Sequence, residues 1–73
     1  MQVLIFKTNI RYKKHINAVE QHIANQPGIL KWNVDLKDVD KILRIETFDQ
    51  HPAKIEGLVK KAGYLCEEFK RLV

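Results

Sequence analysis

Residues 1–6 are almost all apolar and rich in β-formers, which predicts a strand buried on at least one face. A polar loop follows Phe6. Ile16, Val19 and Ile23 then recur at i, i+3 and i+7, and the stripe predicts an amphipathic helix over residues 13–25. Gln26-Pro27-Gly28 breaks it. Beyond the break, Leu30, Trp32, Val34 and Leu36 alternate with Lys31, Asn33 and Asp35, the period of a strand with one wet face. Residues 37–40 read as a polar turn interrupted by Val39. Residues 41–47 are a further β run, with Leu43 and Ile45 on one side, so the link predicts a hairpin. Asp49 or His51 is placed to cap a second helix, with Pro52 in its first turn. Ile55, Leu58, Val59 and Ala62 form the cleanest helical stripe, and Gly63 stands where a left-handed residue would end it. Residues 64–72 read as a last strand.

The order is β-α-β-β-α-β. With right-handed crossovers it builds a ferredoxin-like α+β sandwich, a four-stranded antiparallel sheet with two helices on one face. If Leu4 and Phe6 point at the helices, pleating sends Val3 and Ile5 to the open face. Ile42 and Leu65 join them there, an apolar cluster suited to weak self-association or to nothing more than scattered exposure.

Composition changes this picture little. Seventy-three residues suit one domain with a thin core, spanning 1–73. One cysteine, Cys66, leaves no internal disulfide and no sign of an oxidising compartment. No basic segment with a long apolar run precedes Val3, and no window has the apolar length of a membrane span, so a cytoplasmic domain is expected. The formal charge of +4 favours acidic partners slightly and does not by itself argue for nucleic acid.

Several stretches resemble the heavy-metal-associated domain of copper chaperones and metal-pumping P-type ATPases. They are Val19-Glu20, Gln26-Pro27-Gly28-Ile29, Trp32-Asn33-Val34-Asp35-Leu36, and Ile55 through Lys60-Lys61-Ala62-Gly63-Tyr64. The resemblance covers nearly the whole chain and implies the ferredoxin-like fold. Its matched residues are mostly packing and turn positions, which support fold rather than activity. The family's metal motif, Met-x-Cys-x-x-Cys, is missing. Counted back from Val19-Glu20, its methionine falls at Ile10 and its two cysteines at Tyr12 and His15.

That substitution directs the functional expectation. Cu(I) is held in the family by soft thiolates, for which phenol and imidazole are poor replacements. His15 is the one weak metal candidate, against the reading of a solvated histidine at a helix start. His22, seven residues on, lies about 10 Å along the helix, too far to share an ion. Cys66 reads as a small buried hydrophobe. Arg11, Lys13 and Lys14 place cations at a helix amino terminus, and Lys60, Lys61 and Tyr64 approach the same loop in this fold. With Tyr12 and His15 they make either a contact lip for an acidic protein or an anion, or a solvated basic edge. Trp32 reads as core more than as a binding platform. Exposed aromatics for RNA are lacking on the central strands, so neither nucleic acid nor membrane is an expected partner. The chain has no serine, Cys66 has no neighbouring base, and the arginine-bearing phosphate loop of acylphosphatases is not visible. No catalytic residue and no cofactor is implied. The expectation is a non-enzymatic binding module with a degenerate metal site, the alternative being a metal-trafficking domain altered around His15.

Overall fold

The computed structural model describes residues 2–48 and 50–69. The chain runs β1 (Gln2–Thr8), α1 (Lys13–Ile23), β2 (Ile29–Asp35), β3 (Ile42–Thr47), α2 (Pro52–Lys61) and β4 (Cys66–Glu68). The strands form one antiparallel sheet in the order β2-β3-β1-β4, and the two helices complete the ferredoxin-like sandwich. β1 is central: Leu4 lies opposite Ile45 and Phe6 opposite Leu43, while on its other side Phe6 meets Glu68 and Thr8 meets Cys66.

The alternation in the strands and the stripes in the helices meet in one core. Phe6, Leu43 and Ile45 from the sheet and Val19, Ile23, Ile55 and Val59 from the helices have no exposed surface. Each such side chain contributes roughly 1.5–3 kcal/mol on burial. Leu4, Ile16, Trp32, Val34, Leu58 and Ala62 pack around them, so Trp32 is a core-edge residue. The one fully buried polar side chain among the described residues, Thr47, donates its hydroxyl to the Gly28 carbonyl at 2.8 Å.

The structure departs from the sequence reading mainly at boundaries. β1 continues to Thr8, and Ile10, expected in a polar loop, is fully buried. α1 ends at Ile23, short of residue 25. Pro27 disfavours helical geometry at Gln26, and the Gln26 N–H bonds the Ile23 carbonyl instead. The β2–β3 link spans residues 36–41 and is held locally: Asp35 accepts from the Lys37 N–H and Asp38 from the Asp40 N–H, with Lys41 left-handed at φ 48°. His51 occupies the cap position of α2 without a side-chain cap bond. Asp49 lies outside the described residues.

The last strand is shorter than the expected 64–72. Tyr64 and Leu65 belong to the turn after α2, and residues 70–72 lie outside the described part. Gly63 has φ +99°, the left-handed conformation its position called for. Its N–H bonds the Lys60 carbonyl and the Tyr64 N–H bonds the Val59 carbonyl, the paired bonds of a Schellman ending.

On the open face, Val3 and Leu65 are exposed, whereas Ile5 and Ile42 are half-buried. Those two share a shallow basin with Asn33, Asp35, Arg44 and Phe69, so the apolar cluster expected there is broken up by charge. Among the described residues no helix is long and apolar enough to cross a membrane.

Candidate functional site

The loop between β1 and α1 is built by hydrogen bonds that its residue types allow. Thr8 donates its hydroxyl to the Lys41 carbonyl and accepts from the Ile10 N–H at 3.2 Å. Asn9 accepts from the Leu65 N–H at 2.8 Å through Oδ1. Burial of Ile10 pins the middle of the loop, and the chain then surfaces at Arg11 and Tyr12. Tyr12 is the extended N-cap residue of α1 and makes no side-chain cap bond. Its carbonyl accepts from the N–H groups of His15 and Ile16, starting the helix without help from a side chain at the cap.

His15 is the centre of the arrangement. It is half-buried, in contrast to the solvated histidine the sequence suggested. Its ring lies 5.1 Å from that of Tyr12, edge-on, and 5.0 Å from that of Tyr64, tilted. Aromatic pairs at such separations are attractive beyond simple burial. The Arg11 N–H donates to His15 Nδ1 at 3.2 Å. The third helical residue thus reaches back to a free N–H just before the helix, as a capping-box side chain does. With Nδ1 accepting this bond, the lone pair of that nitrogen is engaged.

Arg11, Lys13 and Lys14 flank Tyr12 and His15 in the sequence. Arg11, Lys13 and Lys14 are all exposed, and Lys14 Nζ lies 5.8 Å from the Tyr12 ring centre. α1 has no acidic residue in its first turn. Lys60 and Lys61 are exposed in the last turn of α2, just before the Gly63-Tyr64 turn that delivers Tyr64 to His15. The only ion pair among the described residues, Lys7 with Asp40 at 3.9 Å, leaves all five of these cations out. Tyr12 is 57% exposed and Val39, at the β2–β3 tip, 89%. Both line a shallow depression of about 520 Å³ with Thr8, Asn9, Arg11 and Lys41.

Sequence reasoning named Tyr12, His15 and Tyr64 but not the row of ring contacts they form, nor the ties from Thr8 and Asn9. The signal available was the Thr8-Asn9 pair directly after a strand, two side chains able to bond backbone groups of other segments.

Cys66 stands apart from the loop. It is 3% exposed at the start of β4 and faces the core. Desolvation, reinforced by the nearby Glu56 carboxylate and only partly offset by Lys60, pushes its thiol up to about 12. In the folded chain it therefore stays protonated and shielded at neutral pH.

No family model and no curated protein matches the sequence. Solved structures do match the fold. The yeast copper transporter domain Ccc2a is similar with a TM-score of 0.82 at 14% identity, covering 96% of this chain and 97% of its own. The N-terminal domain of PacS from Synechocystis aligns at 0.79 and 20% identity, over 96% and 100% of the two chains. The copper-binding domain of HMA7, a P-type ATPase, aligns at 0.79 and 18%, over 96% of each. The fold is thus that of the heavy-metal-associated domains of copper chaperones and P-type ATPases, carried on a sequence without their Cys-x-x-Cys motif.

The donors present do not suit a soft metal ion as cargo. The two positions matched to thiolates hold a phenol and an imidazole whose Nδ1 is engaged, with Lys13 and Lys14 between them. Among the described residues no three His, Cys, Asp or Glu side chains are grouped to hold an ion.

Proposed function

We propose that the chain, taken over residues 1–73 as one domain, is a non-enzymatic binding module with a degenerate metal site, acting in the cytoplasm. Its contact surface is the loop at residues 11–15 with Lys60, Lys61 and Tyr64, and its partners are acidic protein surfaces or anions. The observation that carries this reading is the seat of His15, packed between the rings of Tyr12, edge-on, and Tyr64, tilted, with Nδ1 tied to the Arg11 N–H. Side-chain packing fills the place where a metal-loading loop needs free donors. What remains facing solvent is the Tyr12 ring beside Arg11 and Lys14, and tyrosine and arginine are residue types enriched at contact hot spots.

Such a lip acts chiefly on association rate, and its pull fades as salt shortens the Debye length from about 10 Å at 0.1 M. The test is an amide-shift titration with inorganic phosphate and with a glutamate-rich peptide, each at low and high salt. Shifts confined to residues 11–15 and 60–64, and lost in salt, are expected. Loop amides that respond to neither probe would sink the proposal.

A second reading, a metal-trafficking domain altered around His15, is favoured by the copper domains among the fold neighbours. Competition against a thiol chelator separates the two. Retention of one Cu(I) per chain would favour trafficking over the contact module.

A further inference from the structure

The outer side of β2 has no strand beside it, because β2 ends the sheet order. A free strand edge pairs readily with another chain. We propose that β2 pairs antiparallel with β2 of a second copy of this chain, around a two-fold axis at Asn33, giving a weak dimer with one continuous sheet.

The strand is self-complementary in one register. Centred on Asn33, the pairing sets Lys31 against Asp35 of the second copy and Asp35 against its Lys31. Lys31 and Asp35 are exposed and share the open face of the sheet, since they lie across from Glu46 and Ile42 of β3. The same register sets Trp32 against Val34, both half-buried on the helix face, across from Ile45 and Leu43. Every cross-strand pair is therefore opposite in charge, apolar on apolar, or Asn33 on itself, and such matched pairs stabilise antiparallel strands. Moving the two-fold axis by two residues, to Lys31 or to Asp35, would set that residue against its own copy.

The edge is also accessible. Beside it runs a shallow groove lined by Ile16, Glu20 and Ala24 of α1 and by Trp32 and Val34. Leu30, at the irregularity in the β2–β3 pairing, is 51% exposed and meets Leu36 of the second copy in the same register. Five paired residues bury little area, and Glu20 brings like charge towards the axis from both copies. Both features keep the association weak. The contact does not involve the loop at residues 11–15.

Sedimentation velocity from about 10 μM to about 1 mM, with emission of the single tryptophan followed in parallel, tests this directly. A concentration-dependent dimer is expected. Lys31→Asp and Asp35→Lys should each weaken it about tenfold, since every reversal acts twice across the axis. The double variant Lys31→Asp/Asp35→Lys should recover the original dissociation constant, while Tyr12→Ser leaves it unchanged. A chain monomeric up to the top concentration overturns the proposal. So does a dimer indifferent to the single reversals or not rescued by the double one. Should a reversal fail to fold, amide exchange of the unaltered chain decides. Protection over residues 31–35 must rise with concentration, and constant protection overturns the pairing.

Discussion

Two helix ends in this protein carry paired lysines, and the surroundings give them opposite meanings. At the carboxyl end of α2, Lys60 and Lys61 complement the helix dipole, and the Schellman turn through Gly63 satisfies the last carbonyls. At the amino end of α1, Lys13 and Lys14 oppose the dipole, with no acidic residue in the first turn and no side-chain cap from Tyr12. The α2 lysines have a role in helix stability whatever else they touch. Those of α1 have none and oppose the dipole. The difference separates cations that the helix itself favours from cations that it does not.

The comparison breaks most visibly if the α1 end is returned to thiolate chemistry. Tyr12→Cys with His15→Cys should raise Cu(I) affinity by orders of magnitude while the far-UV spectrum stays unchanged, because neither side chain belongs to the core cluster. Chelator competition with circular dichroism checks both halves.

The next largest effect belongs to the α2 side, through Cys66. Its thiol is held at about 12 against an ordinary 9.0, so the folded state keeps a proton that the unfolded chain releases first. The stability this contributes is fully present below pH 9 and is lost as pH rises from 9 towards 12, on the order of 2–4 kcal/mol across that window. Urea midpoints at pH 8 and pH 10.5 should differ accordingly, and much less so in Cys66→Ala. Alkylation of the native thiol at pH 7 should be slow and become fast on unfolding.

Gly63→Ala tests the closed ending itself. No atom lies within 4 Å of the added methyl, so the cost is backbone strain at φ +99°, about 1 kcal/mol. Thermal melts should show it together with loosened packing of Tyr64 on His15. The smallest effects have opposite signs. Lys14→Glu should stabilise α1 by about 0.3–1 kcal/mol while weakening acidic-peptide binding, and Lys61→Glu should destabilise α2 by a similar amount. Equal signs in denaturant titrations would remove the distinction between the two ends.

Much of the fold was legible because its signals are local. Ile16, Val19 and Ile23 announce α1 through spacing, and Gly63 announces the end of α2 through its freedom at positive φ. Boundaries were less legible, since Pro27 acts one residue upstream and Tyr64 and Leu65 look strand-like while serving a turn. The positions of the candidate site were readable by alignment to a motif, but its arrangement was not. Burial of Ile10, the Asn9 bond to Leu65 and the packing of the His15 ring against Tyr64 join distant segments, and nothing in residue spacing reports such meetings. The likeness to copper domains was itself legible in turn and packing residues, which is why it speaks for architecture and leaves the chemistry of the loop to be read from the residues actually there.

The two hydrogen bonds that hold the loop also make it depend on distant parts of the chain. Asn9 is bonded to a residue 56 positions away, and Thr8 to one 33 positions away. Contacts of such long range close large loops of chain, an entropic cost that the rest of the packed fold must offset. The shape of the surface at residues 11–15 is therefore held by residues far along the sequence, and a molecule with β4 undocked has the same cations without the Asn9 tie to Leu65.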